Sequence, residues 1–258
     1  MAQNALMPRY AITVEYDGTD FVGWQVQAEG VSVQGVLAQA IMAFSGDTSV
    51  VRGAGRTDSG VHAIGQVAHF ELSKDWDAFR VGEALNFHVR PHSVCILNCQ
   101  RVADTFDARF SAVQRHYLYR ILTRRARPVL DANRVWWLTQ QLDTGAMQQA
   151  ANELTGHHDF TTFRATQCQA NSPWRTIDAF SVLPSDDEIH IRVAARSFLH
   201  NQVRSMVGSL KLVGEGKWQP GDMKRALQAC DRKACGPVAP ASGLYLARVD
   251  YERPLVMP

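Results

Sequence analysis

Residues 53–63 read Gly-Ala-Gly-Arg-Thr-Asp-Ser-Gly-Val-His-Ala and bring a cation, a carboxylate and an imidazole (Arg56, Asp58 and His62) within seven positions. A carboxylate on a short loop can attack an electrophilic carbon or take a proton. A guanidinium beside it offers a flat cation to phosphate or base. The three glycines let the backbone turn tightly and approach another molecule closely. The same Asp-Ser-Gly run also suits an ordinary surface turn. Two nucleotide-binding loops are excluded. A dinucleotide fingerprint needs glycine where Asp58 stands, and a P-loop needs a Gly-Lys-Ser/Thr that this stretch lacks.

Other side chains qualify by type and setting. Tyr117 lies in Arg115-His116-Tyr117-Leu118-Tyr119-Arg120, where rings alternate with cations. It suits either a core-facing tyrosine or a platform on which a base stacks between phosphate-binding arginines. Arg204 falls off the apolar stripe of a helix-periodic stretch, as a solvent-facing arginine does, and Leu244-Tyr245-Leu246 reads as strand core. Arginine outnumbers lysine 22 to 5, and between Arg109 and Arg134 seven arginines face one acid, Asp131. Such a local excess can steer a polyanion. His157-His158 has no companion ligands in sequence, and the five cysteines (Cys95, Cys99, Cys168, Cys230, Cys235) include no Cys-x-x-Cys pair. Neither a metal site nor a disulfide framework is expected.

These residues need elements to hold them. At 258 residues, 46% hydrophobic and 20% charged, the chain has an ordinary globular composition and room for one large core or two modest domains. No apolar run approaches the length of a membrane span, and Met1 to Arg9 carries no secretory segment, so the cytoplasm is the expected location. Tyr10, Ile12, Val14 and Tyr16 alternate as a strand does. Ser32 is placed to cap a helix with apolar residues at 33, 36, 37, 40, 41 and 44. Val50 to Arg52 feeds the glycine loop, Ala68, Phe70 and Leu72 alternate as a third strand, a helix is expected over Asp77–Phe87, and a strand over Val94–Val102.

The order strand, helix, strand, strand, helix, strand is the split βαβ arrangement. It recurs as a strand from Gln114 to Leu122, a helix from Asp143 to Leu154, a hairpin of Arg175–Leu183 and Ile189–Ala195, helices from Leu199 to Val213 and Met223 to Cys230, and a closing strand from Leu244 to Tyr251. The expected fold class is α+β. Two ferredoxin-like units with antiparallel sheets, residues 1–106 with the glycine loop and 107–258 with insertions, are joined around a central cleft. Sheet faces left free by such units are a common platform for RNA.

The segment Gly55–Ala63 resembles the active-site segment of the tRNA pseudouridine synthase A (TruA) family. So do Tyr16-Asp17-Gly18-Thr19, Gly23-Trp24-Gln25-Val26-Gln27, Tyr117-Leu118-Tyr119, His158-Asp159-Phe160-Thr161, Ser172-Pro173-Trp174-Arg175-Thr176, Val203–Gly208 and Gly243-Leu244-Tyr245-Leu246. The resemblance runs from about Tyr10 to Tyr251. It implies a homodimeric isomerase that converts uridine to pseudouridine at positions 38, 39 and 40 in the anticodon stem-loop of tRNA, without cofactor, metal or membrane. It also implies roles. Asp58 takes the catalytic aspartate position, Tyr117 the tyrosine that packs on the target uracil, and Arg204 the basic residue that pairs with the aspartate. Leu244 takes a uracil-pocket position, and Arg56 helps hold the flipped nucleotide's place. Leu118 stands where the family often carries a basic residue and Ser205 where asparagine is usual, which puts one RNA contact and one helix hydrogen bond in doubt.

The chemistry agrees with the residue types. The reaction breaks the N1–C1′ bond, turns the uracil and rejoins it through C5, with no net redox change. One carboxylate near C1′ suffices, either as nucleophile or as base, and the sequence leaves both routes open. Two alternatives remain at this level: a non-catalytic RNA-binding protein, and a glycoside or nucleoside hydrolase with Glu71 or Asp107 as the second carboxylate that such an enzyme usually needs.

Overall fold

The computed structural model describes residues 7–255. In chain order these form β1 (Arg9–Tyr16), α1 (Val33–Ser45), β2 (Arg52–Gly53), β3 (His62–Glu71), α2 (Ala78–His88), β4 (Val94–Val102), β5 (Ala112–Thr123), β6 (Trp136–Leu138), α3 (Thr144–Asn152), β7 (Gly156–Asp159), β8 (Trp174–Ser185), β9 (Glu188–Ala195), α4 (Gln202–Gly214), α5 (Pro220–Ala229) and β10 (Leu244–Tyr251). The fold is mixed α+β. The chain divides into two units, one running through Val113 and resuming at Leu246, the other spanning Gln114–Tyr245.

In the first unit the strands lie in the order β4-β1-β3-β10. The alternation from Tyr10 onward becomes an antiparallel register with β3, Tyr10 facing Phe70 and Ile12 facing Ala68. Two-residue β2 covers only one stretch of β3's outer edge, Arg52 opposite His69. Ala247 of β10 lies along another part of that strand, where a Cβ on Gly65 would sit 2.7 Å from the Ala247 carbonyl oxygen. Ser32 caps α1 by accepting the Gly35 N–H, and Asp77 caps α2 by accepting that of Arg80. The apolar stripe of α1 (Val33, Val36, Leu37, Ala40, Ile41) is buried, as its spacing requires. Tyr10, Ile12, Leu37, Ile41, Phe70, Leu72 and Leu85 form the centre of this core, each side chain contributing about 1.5–3 kcal/mol by leaving water. His62 to Phe70 is buried at every position but Ile64, so β3 lacks the alternation of a half-exposed strand. It therefore begins at His62, six residues before the run legible in sequence.

The second unit orders its strands β5-β9-β8-β7, with β6 parallel to β5 through the Ile121–Trp136 pair. Tyr117 faces Val193 and Tyr119 faces Ile191 across the β5–β9 ladder. Asp143 caps α3 by accepting the Ala146 N–H. α4 differs from the expected one-faced helix. It starts three residues later, after Asn201 in the left-handed region (φ 61°), and it is buried on nearly every side. Gly208 and Ser209, which sit on its polar side, are covered by residues 236–239. A Cβ on Gly208 would lie 1.7 Å from the Pro237 carbonyl oxygen, and Ser209 Oγ accepts the Gly236 N–H at 3.0 Å. Only glycine admits that backbone.

Candidate active site

The glycine loop connects β2 to β3 and is tied down along its length. Its first residues continue the β2 ladder, the Ala54 N–H donating to the Val67 carbonyl at 2.7 Å. At Gly55 the buried Gln66 amide takes over. Its Nε2 donates to the Gly55 carbonyl at 2.8 Å and its Oε1 accepts the Gly55 N–H at 3.3 Å. Thr57 is buried, its hydroxyl 2.8 Å from the Tyr16 hydroxyl and its carbonyl accepting the Trp24 N–H at 3.0 Å. Asp58 forms a bridge with Gly23, and its carbonyl accepts the Val61 N–H at 3.1 Å, which closes the turn through Gly60 at φ 75°. His62 is 1% exposed. Its Nδ1 accepts the Gly18 N–H at 3.0 Å and lies 3.1 Å from an Asp17 carboxylate oxygen. One ring nitrogen cannot accept from Gly18 and donate to Asp17 together. We assign the accepting role, because that Asp17 oxygen already receives the Thr19 N–H and hydroxyl.

Beneath the loop, Tyr16, Phe21 and Trp24 pack ring against ring and are all nearly inaccessible. A Cβ on Gly53 would fall 2.5 Å from the Trp24 indole, which gives that glycine an internal packing reason. With its neighbours fixed, Asp58 is half-buried and Arg56 is exposed. The Tyr16–Thr19 and Gly23–Gln27 segments thus frame the loop, and Gln66, which sequence reasoning passed over, clasps it. The strand legible in sequence starts at Ala68, so no sequence signal marked it.

Tyr117, Arg204 and Leu244 all lie in the second unit. Tyr117 is half-buried on β5, edge-to-face with Phe198 at 5.1 Å. Two positions along, Tyr119 is fully buried and donates its hydroxyl to the Pro240 carbonyl at 2.8 Å. Arg204 leaves the first turn of α4 and donates Nε to the adjacent Ala239 carbonyl at 2.8 Å and Nη1 to Asn201 Oδ1 at 3.0 Å. Burial raises the Tyr119 hydroxyl above its usual range and the Arg204 charge opposes that rise. The chain then packs Gly243 on the Tyr119 ring and enters β10 at buried Leu244. The 239–244 segment therefore links the environments of Arg204, Tyr119 and Leu244. Arg204 is held by oxygens on two sides, unlike the solvent-facing arginine its position suggests.

A family model described as tRNA pseudouridine synthase matches residues 12–111 and 150–252. The chain belongs to this family. Among curated relatives, tRNA pseudouridine synthase A of Sinorhizobium fredii is 58% identical over 247 residues, covering 95% of this chain and 100% of the relative. The Azorhizobium caulinodans protein of the same name is 59% identical over 250 residues, 97% of each chain. A chain of a solved Cbf5-Nop10-Gar1 complex overlays with a TM-score of 0.35 at 14% identity, over 78% of this chain and 45% of that one, too loosely to bear on the argument.

In this tRNA pseudouridine synthase several other sequence candidates have structural employment. Of the seven clustered arginines, Arg115 is buried and donates to the Arg196 carbonyl at 2.6 Å. Arg120 forks onto Glu188 and reaches Asp131 at 3.1 Å, and Arg124 pairs with Asp187 at 3.0 Å. The β8–β9 hairpin therefore returns two acids to a stretch that shows only one. Arg125 and Arg127 are exposed. Glu71 pairs with Arg9 at the far end of β3. Asp107 lies near that end too, 3.9 Å from His69. At about 3.3 Å per residue, His62 to Glu71 spans roughly 30 Å, far beyond the 5–10 Å that separates paired glycosidase carboxylates. The hydrolase reading loses both of its partner acids. His157 stacks on Trp174 at 5.2 Å, and among the described residues no three His, Cys, Asp or Glu side chains group as a metal site. No described helix is long and apolar enough to cross a membrane.

Proposed function

We propose that this member of the tRNA pseudouridine synthase family isomerises uridine at positions 38, 39 and 40 in the anticodon stem-loop of tRNA, with Asp58 as the reacting carboxylate. The observation that carries the reading is the Asp58 loop: a half-buried carboxylate on a turn whose flanking residues are held at Gly55, Thr57 and Val61 by hydrogen bonds. A fixed carboxylate serves a reaction at one sugar carbon, since alignment of reacting atoms supplies much of the acceleration. In the reaction the N1–C1′ bond breaks and a C5–C1′ bond forms. The C5 hydrogen leaves to solvent as a proton and N1 gains one, so atoms and charge balance with no other reagent.

The target base must first leave its stack, at a cost of a few kcal/mol. Tyr117 is the stacking partner, able to return about 1–3 kcal/mol of that cost. Arg56, exposed beside Asp58, fills the vacated place with a flat cation. Leu244 supplies an apolar wall that retains the detached uracil, and Arg204 the cation that complements the carboxylate. Each unit is proposed to derive from the ferredoxin-like split βαβ scheme, with the boundary near Asp107. In support, β1 pairs antiparallel with β3 and β3 with β2, and in the second unit, with β6 and β7 counted as insertions, β5 pairs antiparallel with β9 and β9 with β8. A homodimer acting in the cytoplasm, where its substrate is, completes the proposal.

The test is release of tritium from tRNA labelled at uridine C5, with the product mapped by base-specific chemistry. Product at the anticodon arm with wild type, and none with Asp58→Asn at unaltered tRNA affinity, is the expected result. Free uracil would indicate a hydrolase, and turnover by Asp58→Asn near wild type would remove Asp58 from the chemistry.

A further inference from the structure

We propose that Gln66 is a positioning residue for this reaction, acting through the Asp58 loop. The inference rests on the reading of Asp58 as the reacting carboxylate. Gln66 has no exposed surface and sits on β3 opposite Val14, a place an apolar residue would fill without penalty. A buried amide costs free energy unless its donors and acceptor are matched. Here both ends are spent on one residue of the loop, Nε2 on the Gly55 carbonyl and Oε1 on the Gly55 N–H. One residue earlier the loop still belongs to the ladder, through the Ala54 N–H and the Val67 carbonyl. The Gln66 side chain continues that ladder by one step, at the point where the loop leaves the sheet. Thr57 is held next, by Tyr16 and Trp24. Arg56 is thereby fixed between two clasped residues, and Asp58 follows the second of them. Rigid outer support of this kind holds a reacting group within the fraction of an ångström that alignment demands.

Two variants separate positioning from folding. Gln66→Met keeps the volume and removes both hydrogen bonds. Gln66→Glu keeps the acceptor, and its protonated carboxyl also restores the donor, so it reproduces the amide clasp only at low pH. Single-turnover rates at saturating enzyme, tRNA affinity by filter binding and thermal melting are measured for both, with Asp58→Ala alongside. The expected result for Gln66→Met is a rate about 10²-fold lower, the size of effect that a displacement of about 1 Å produces, with tRNA affinity unchanged. For Gln66→Glu the rate relative to wild type should rise as pH falls from 8 to 5. Burial favours the neutral carboxyl and brings its titration into that range.

A folded Gln66→Met protein that turns over at the wild-type rate would overturn the proposal. So would a Gln66→Glu rate that tracks the wild-type pH profile, and that profile decides the matter if Gln66→Met does not fold. Turnover by Asp58→Ala would instead refute the reading of Asp58. An inactive Asp58→Ala beside a wild-type-like Gln66→Met rejects positioning alone.

Discussion

A single methyl group tests the mechanical coupling of the loop without touching charge or substrate. In Gly18→Ala the new Cβ would sit 2.1 Å from the Val61 carbonyl oxygen and 2.5 Å from its carbonyl carbon, where ordinary contact begins at 3.4 Å. Both obstacles are backbone, so no side chain can swing aside, and the two segments must separate by about 1.3 Å to reach van der Waals contact. Overpacking of this kind costs about 1–3 kcal/mol. In a protein of this size that lowers Tm by about 2–12 °C. The Gly18 N–H also serves as the donor to His62, and the Val61 N–H bonds the Asp58 carbonyl, so the displacement passes directly into the turn. A shift of about 1 Å at the carboxylate lowers the chemical step by about 10²-fold. Rapid-quench single-turnover tritium release, with tRNA affinity and melting measured in parallel, reads the outcome. A folded variant with wild-type single-turnover rate, whether or not its Tm falls, would refute the idea that the Val61 turn dictates where Asp58 stands.

Three further outcomes follow from particular contacts. Tyr119→Phe leaves the Pro240 carbonyl without its 2.8 Å donor and should lower stability by about 1–2 kcal/mol in urea titrations, with the ring packing on Gly243 retained. An unchanged midpoint would mean water replaces the hydroxyl. Ser205 Oγ is buried with no hydrogen-bond partner among the described residues, so Ser205→Ala should leave the urea midpoint unchanged or raise it, and a clear loss would refute that reading. His69 is held below its usual value of 6.5, chiefly by burial and against the pull of Asp107, while its Nδ1 accepts the Ala108 N–H. The unfolded chain therefore takes up this proton first. The contribution of His69 is complete above pH 6.5 and is lost as pH falls below it, and His69→Gln should flatten the decline of urea midpoints between pH 6.5 and 5. Parallel declines in the two proteins would assign acid sensitivity elsewhere.

Where local physics decides, the sequence is a good guide. Ser32, Asp77 and Asp143 cap the helices their side chains imply, the α1 stripe is buried as spaced, and β4 and β10 begin and end at their apolar limits. Distant partners decide the rest. β6 is three residues long and exists through its parallel pairing with Ile121–Thr123. β7, reading Gly-His-His-Asp, has no apolar period and is fixed by its pairing with β8. The polar side of α4 is buried because Gly208 admits the Pro237 backbone, a contact across 29 positions. The arginine excess around Arg120 shrinks for the same reason, since Glu188 and Asp187 arrive from a hairpin more than sixty residues away. Of the site, the residue types and their loop were legible. The clasp by Gln66 and the brace by Tyr16 were not, because a buried polar side chain gives no sign in sequence of which backbone it serves.

The kinds of group that hold the loop bear on its chemistry. Gln66, Tyr16, Thr57 and the Trp24 N–H are neutral dipoles, and they fix Gly55 and Thr57 without placing another full charge at those contacts. A lysine or arginine could tie the same backbone down. Set beside the carboxylate it would compete for the oxygen that must reach the sugar and over-favour one protonation state. A second carboxylate would push the other way and favour protonation. Oriented dipoles avoid both effects, because they supply position without adding a full charge. Asp17, a carboxylate of this frame, is engaged by the backbone and hydroxyl of Thr19. The contacts at Gly55 and Thr57 are accordingly made by an amide, a hydroxyl and a backbone N–H.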